Sequence, residues 1–453
     1  MPMQRWQWGP ISQTLGVLTE YYDISIIAAT LPILTKVFLP AQMPPLISAF
    51  YVVAGLAVSY ITRPVGAAIW GHYSDRIGRR LLMIGSMAGM AIVTGLISTL
   101  PNYAQAGFIG LILLVVIRMF VGIFYGGEKA AGATYAQEWT PAKWRGATNG
   151  ITQTGVGLGL LTASGTAGLF LAYFGEAAMI AYAWRYVFLA GLIPFIVVAI
   201  IRLATAESPI WKAAKSRGDI EKSPLLSLMK GPTRVRFLQS TLMSIGFLVM
   251  GGTLSSYVAP LLTNLPSRLS TSQALVALNM YAIGQIVVAL VVGPLSQYVG
   301  RKRILIIIAI ITIVTVAPAT NMVVTYGSSV LLLPVMLLAF WLGCLQTAPY
   351  SVIDAYLTER FGTKHRASGA GLSYALGNTF AGVCIVAVIP SLHGLIGGIE
   401  TRTSIWLSMA ILCIVGSLIG LLAVFIGPET AWIKLEEVES KGKTDPKDSP
   451  ASR

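Results

Sequence analysis

Residues 63–80 read RPVGAAIWGHYSDRIGRR. The first half is apolar enough to sit in lipid. The second half sets Arg76, Arg79 and Arg80, with Arg63 at the head of the stretch, around a single carboxylate, Asp75, and places glycines at 71 and 78. An apolar run that stops in a short, glycine-hinged cluster of arginines reads as a membrane-crossing helix meeting the side of the bilayer where basic residues collect. The rest of the chain supports that reading. It has 453 residues, 55% hydrophobic and 11% charged, with a mean hydropathy of +0.73, whereas soluble proteins carry about 25% charged residues.

A crossing helix needs about 20 mostly apolar residues. Twelve segments qualify: 14–39, 46–70, 81–100, 107–130, 148–174, 184–204, 237–262, 274–298, 303–323, 329–354, 369–391 and 403–426. The long polar connection divides them into a six-helix bundle over 1–204, a linker over 205–236, a second six-helix bundle over 237–427 and a tail over 428–453. The fold class is therefore an all-α membrane protein, and the short charged tail is expected to be disordered. Trp6 and Trp8, beside Arg5, fit an aromatic belt at the membrane surface. The start shows no cleavable signal pattern.

Of the 32 Lys and Arg residues, 25 fall in loops or tails on the side that holds both termini. Four (Lys36, Arg185, Arg268 and Arg402) fall on the other side and three (Arg63, Arg118 and Lys129) within helices. That split predicts cytoplasmic termini in a multi-pass protein of the cell membrane. It also removes the nucleic-acid partner that a net charge of +14 invites, because the charge is spread over many loops. The bundles repeat each other. GHYSDRIGRR, from Gly71, returns as GPLSQYVGRK from Gly293, an offset of 222. EWTPAKWRG, from Glu138, returns as ERFGTKHRASG from Glu359, so that Glu138 matches Glu359 and Arg145 matches Arg366 at an offset of 221. Parallel six-helix repeats describe one transporter architecture, with its binding site between the halves near the midplane.

These residues make the chain resemble the major facilitator superfamily. GHYSDRIGRR matches that superfamily's loop motif between helices two and three at Gly71, Asp75, Arg76, Gly78, Arg79 and Arg80. TEYYD (19–23), RPVGAAIWGH (63–72), RMFVGIFYGGEKAAGATYAQEWTPAKWRG (118–146) and LSYALGNTFAG (372–382) resemble its metabolite:proton symporter branch. One departure is Gln297, where the second-half loop pattern expects aspartate. The glycines permit tight turns and close backbone approach, and Asp75 can lie at the positive N-terminus of a neighbouring helix and accept from arginine. Glu138 and Arg145, with Arg301, Glu359 and Arg366 in the second half, complete the expected cytoplasmic gate.

Charges inside the bundle carry most of the functional expectation. Glu20, Asp23, Arg63, Arg118, Glu128, Lys129 and Asp354 all fall within or near helices. Each charge at a helix centre costs about 2.5–3.5 kcal/mol on insertion scales, so they should face inward and pair. Asp23 and Arg118 sit at similar depth in helices one and four; the resemblance implies that they pair and form the proton-coupling site, with Glu20 one turn away as a partner. Arg63 and Glu128 are expected to pair with each other, the alternative being an Arg63 that ligates an anionic solute. Lys129 shares the face of Arg118 and either lines the cavity or snorkels. Asp354 reads as a gate or interface residue.

The second half offers uncharged polar groups, Tyr257, Asn279, Gln285, Trp341, Gln346, Tyr374 and Asn378, as expected solute contacts beside Tyr22 and Gln153 of the first. Small residues in helix five allow close packing. Cys344, Cys384 and Cys413 read as buried thiols, no cluster suggests a metal, His72, His365 and His393 lack triad partners, and no phosphate-binding loop suggests ATP drive. The resemblance implies a non-enzymatic, proton-coupled symporter for a small polar solute, an organic acid first and a zwitterion next. An uncoupled or proton-driven sugar carrier is the alternative, followed by a non-transporting sensor. The expected partners are solute, protons and lipid, with the proton as coupling ion, no other cofactor, and a monomeric chain.

Overall fold

Backbone groups in hydrocarbon must be satisfied within their own segment, which leaves apolar runs of this length no option but helix. The computed structural model describes residues 8–40, 42–43, 45–263, 269–396, 402–435 and 438, and among them it contains helices and no strand. The expectations placed on Arg5, Trp6, Arg268 and the tail beyond Val438 lie outside the described residues, as do the side chains of Trp8 and Arg402.

Among the described residues, twelve long helices run in two sets of six. The first set is α1 (Trp8–Phe38), α2 (Pro45–Ile77), α3 (Arg79–Ile97), α4 (Ile109–Glu128), α5 (Arg145–Ala178) and α6, in two pieces (Trp184–Ala190 and Leu192–Leu203). The second is α7 (Gly231–Thr263), α8 (Thr271–Val299), α9 (Arg301–Ser328), α10 (Leu332–Arg360), α11 (Arg366–Val383) and α12 (Arg402–Ile426). α4 continues through a π turn at Lys129–Ala133 into Thr134–Trp139. The stretch between Arg145 and Leu203 doubles back near Gly175, whose φ of 73° ends α5. The linker carries two short helices, Pro209–Ser216 and Pro224–Leu228. Each half has its own apolar core, and the halves meet along α2 with α11 and α5 with α8.

The repeat is visible in the packing. Gly122 on α4 and Gly343 on α10 stand 221 apart. A methyl group on Gly122 would overlap the Ser59 carbonyl of α2, and one on Gly343 the Tyr281 carbonyl of α8. Gly343→Val therefore forces two backbones apart in a packed interface, a change that costs about 1–3 kcal/mol or more. The expected result is a melting temperature lower by several degrees and less monodisperse protein, read by thermal unfolding and size-exclusion chromatography. Gly78 and Gly300, 222 apart, hold φ of 131° and 108° just before α3 and α9, a conformation other residues rarely adopt.

The tail corrects one expectation. Charge alone predicts disorder after Pro428, yet Glu429–Leu435 packs under the bundle, with Ala431 and Leu435 buried. Glu429 accepts from the Arg301 and Lys302 amides at the start of α9, at 2.8 and 3.1 Å. Glu207, 222 residues earlier, accepts from the Arg79 and Arg80 amides at the start of α3 in the same way. An acid at a helix N-terminus satisfies amides that have no partner inside the helix.

Candidate functional site

α1 and α4 bring Asp23 and Arg118 together in the first half. Arg118 donates from Nη1 to Asp23 Oδ2 at 2.6 Å and from Nη2 to Oδ1 at 3.3 Å. Tyr125, two turns along α4, donates to Oδ2 at 2.9 Å, and Thr94 of α3 to Oδ1 at 3.2 Å. Asp23 and Arg118 are 0% and 2% exposed. A carboxylate this dry is held by a two-pronged guanidinium and two hydroxyls, and removing one partner of such a pair costs about 3–5 kcal/mol.

The expected Arg63–Glu128 pair does not form. Arg63 of α2 instead donates to Glu20 Oε1 of α1 at 3.1 Å, lying over the rings of Tyr60 and Tyr125 at 4.6 and 5.0 Å. Glu128 takes both guanidinium nitrogens of Arg202 from α6, and Ser86 of α3 donates to it at 3.4 Å. By sequence Arg202 stands at the end of the segment 184–204 and is counted with the basic residues on the side of the termini, but it is 0% exposed. Its carbon chain carries the guanidinium inward along α6, so proximity of Arg63 and Glu128 to the same membrane face was not enough to pair them. Glu128 thereby acts as a brace inside the first half.

Lys129, the first residue of the π turn and eleven residues on from Arg118, does not snorkel: it crosses to the second half. Its Nζ lies 2.8 Å from Asp354 Oδ2 of α10 and 4.2 Å from the Tyr374 ring centroid of α11. Gln153 of α5 donates to the same Asp354 oxygen at 2.8 Å. Both charged side chains are nearly buried, at 9% and 5% exposure. Single-turn π bulges inside α-helices are frequent at functional sites.

Between the halves lies a small cavity of about 20 Å³, room for about one water molecule. Arg63, Gln346 and Asn378 line it as expected of cavity residues, and Glu20, expected beside Asp23, lines it as well. Tyr21, Tyr60 and Tyr350 line it too and were missed. Helical spacing offered a signal, since Tyr60 precedes Arg63 by three residues and Tyr350 precedes Asp354 by four. Seven expected contacts are elsewhere: Gln153 and Tyr374 stand around the Lys129–Asp354 pair, and five lie further off. Tyr22 is buried in the first-half core, where Gly191, between the two pieces of α6, packs against its ring. Trp341 donates to Thr315 of α9 at 3.2 Å and faces outward, and Asn279 is exposed. Tyr257 donates to the Ile385 carbonyl at 3.0 Å behind the wall. Gln285 supports the wall from behind by donating to Gln346, which also accepts from Tyr281 at 3.0 Å.

The loop motifs close one end of the bundle. Asp75 accepts from the amides of Ala367 and Ser368 at 3.1 and 2.9 Å, at the first turn of α11 in the other half. Gly71 lets α2 approach the Ser368 backbone. Glu138 stands between halves, accepting from Arg366 at 2.8 Å and from Arg79 at 3.3 Å. Arg79 also donates to the Ser74 and Thr363 carbonyls. Arg301 pairs with Glu359 at 3.3 Å in the second-half copy. Gln297, in place of an aspartate, accepts from the Gly146 amide at 3.3 Å and donates to the Ala431 carbonyl at 2.7 Å; a carboxylate could not do both. Arg145 and Arg366 donate to the Ile433 and Leu435 carbonyls, both at 2.8 Å, so the tail joins the network. Two expected members stand apart: Arg76 is exposed beside His72, and Arg80 donates to the Leu203 carbonyl of its own half.

A sequence model described as Major Facilitator Superfamily matches residues 14–280 and again 260–449. The chain is 30% identical over 372 residues to the inner membrane metabolite transport protein YhjE of Escherichia coli (strain K12), covering 80% of this chain and 82% of that one. It is 28% identical over 374 residues to the ectoine/proline transporter ProP of Corynebacterium glutamicum, covering 80% and 73%. Among solved structures, the proton:xylose symporter XylE bound to 6-bromo-6-deoxy-D-glucose matches with a TM-score of 0.76 at 21% identity, covering 96% of this chain and 98% of that one. At that identity the likeness concerns the fold.

Proposed function

This chain belongs to the Major Facilitator Superfamily, whose members are membrane transporters, and we propose that it carries a small carboxylate-bearing solute, an organic acid first and a zwitterion next, together with a proton by alternating access. The observation that carries this reading is Arg63. Its Nη1 holds Glu20 at the cavity wall, while its buried Nε and Nη2 have no hydrogen-bond partner. A buried donor left unmade costs about 1–3 kcal/mol, and a carboxylate presents two oxygens to a guanidinium in matching geometry. The relatives support the class: one is named for ectoine and proline, both of which carry a carboxylate beside a cationic nitrogen.

Asp23 supplies the proton step. A proton on Asp23 cancels the charge that Arg118, Tyr125 and Thr94 hold in place, so the protonated and unprotonated carriers differ in how firmly α1 is tied to α3 and α4. The Lys and Arg bias supports a cell-membrane carrier with cytoplasmic termini, which makes the closed Asp75 end the cytoplasmic one and the described state closed to the cytoplasm.

Purified protein in liposomes tests the reading. Uptake of labelled succinate, citrate, proline, betaine and xylose is measured with and without an imposed proton gradient. A carboxylate whose uptake rises with the gradient is expected; transport of xylose alone, or uptake indifferent to the gradient, overturns it. Arg63→Gln is expected to weaken binding of the transported carboxylate about 10- to 100-fold, the worth of hydrogen bonds to a charged group, as read by equilibrium binding.

A further inference from the structure

Among the described residues, the ion pairs Glu20–Arg63, Asp23–Arg118 and Glu128–Arg202 each join two helices of the first half. Lys129–Asp354 is different, because it joins α4 to α10 across the boundary between halves. On α10, Asp354 lies one turn beyond Tyr350, which lines the cavity, and five residues before Glu359, which pairs with Arg301 in the gate. The pair therefore sits between the cavity and the closed end. Ala130, next to Lys129, packs directly on Gly371 of α11, so the π turn is pressed against the second half.

Alternating access separates the halves at the Asp75 end. Lys129 and Gln153 must then move with the first half, and Asp354 and Tyr374 with the second. Lys129 loses its ion-pair partner and its ring contact together, leaving a cation and an amide N–H that both pointed at one carboxylate oxygen. We propose that Lys129, with Gln153, is a second anion site on the solute's path from the cavity to the Asp75 end, where a solute carboxylate takes the place that Asp354 holds in the closed state. This rests on the reading of the solute as a carboxylate. Asp354 then has two effects: it keeps Lys129 dry and occupied while the end is closed, and it competes with the solute for Lys129 on re-closure, which favours release.

The test is a charge swap, Lys129→Asp with Asp354→Lys, in the full chain with Cys344, Cys384 and Cys413 replaced by serine. The swap keeps an ion pair across the boundary and moves the cation to the other half. Closure is read as the distance between spin labels on cysteines placed at the exposed Lys143 and Arg303, one at the Asp75 end of each half. Transport is read in liposomes as efflux of preloaded succinate, citrate, proline, betaine and xylose. The expected result is a label distance like the parent's with carboxylate efflux reduced more than tenfold. A swap that closes like the parent and carries the same carboxylate within a factor of two overturns the inference alone. A parent that carries none of the carboxylates overturns the function reading and this inference with it. If the swap fails to fold, the charge-free pair Lys129→Gln with Asp354→Asn decides: reduced carboxylate efflux with a longer label distance supports the site, and efflux at the parental rate overturns it.

Discussion

Arg118→Ala is expected to abolish accumulation of solute against its gradient. Arg118 supplies two of the four hydrogen bonds that Asp23 accepts in the folded chain, and the only cation among them. Without it, a buried carboxylate keeps two hydroxyls and no counter-charge, a state costing about 3–5 kcal/mol relative to the pair. On the proposed reading, the variant has no charge pair at Asp23 for a proton to make and break, so the carrier can still exchange solute for solute but cannot convert a proton gradient into accumulation. Liposome measurements separate the two: gradient-driven uptake should fall to the level of protein-free vesicles while counterflow exchange persists. Asp23→Asn should give the same split, because it mimics the protonated acid. Accumulation at the wild-type level in Arg118→Ala would remove the pair from the coupling step.

The second large effect is expected from Glu138→Gln. Glu138 holds Arg79 of its own half and Arg366 of the other, and all three side chains are 0% exposed. The amide keeps the shape and removes the only charge that both guanidiniums share. Even the low end of the cost of breaking a buried pair, about 3 kcal/mol, shifts an equilibrium between closed and open ends by about 100-fold. Spin labels at positions 143 and 303 should report a longer distance in the variant than in the parent, with no solute present. An unchanged distance distribution would mean that the other contacts between the halves, those of Asp75 to Ala367 and Ser368 among them, hold the end closed without the Glu138 charge.

The fold was legible because its signals are long and redundant. Apolar runs of crossing length and a repeat at 222 residues survive any error at a single position. Asp23 with Arg118 was legible because each charge is far from a helix end and costly if unpaired. The partners of Arg63 and Glu128 were not. A side chain as long as that of Arg202 carries its charge several ångströms from its place in the sequence to reach Glu128, and Arg63 then takes Glu20. The partner of Lys129 was not legible either, because Asp354 lies 225 residues away in the other half. Trp341 and Asn279 show the converse, since a polar or aromatic residue in a spanning helix carries no mark of which side faces the cavity. The missed acids Glu207 and Glu429 did carry a mark, as they stand at the repeat offset.

The docked tail has a practical bearing. Glu429 through Leu435 touches α5 by way of Arg145, α8 by way of Gln297, and α11 by way of Arg366. It behaves like a washer seated under both moving parts. A fusion tag or truncation placed at Pro428 would strip that washer out, and the loss would read in an expression screen as a poorly behaved carrier rather than as a badly chosen cut. Handles belong beyond Val438, the last buried residue of the described tail.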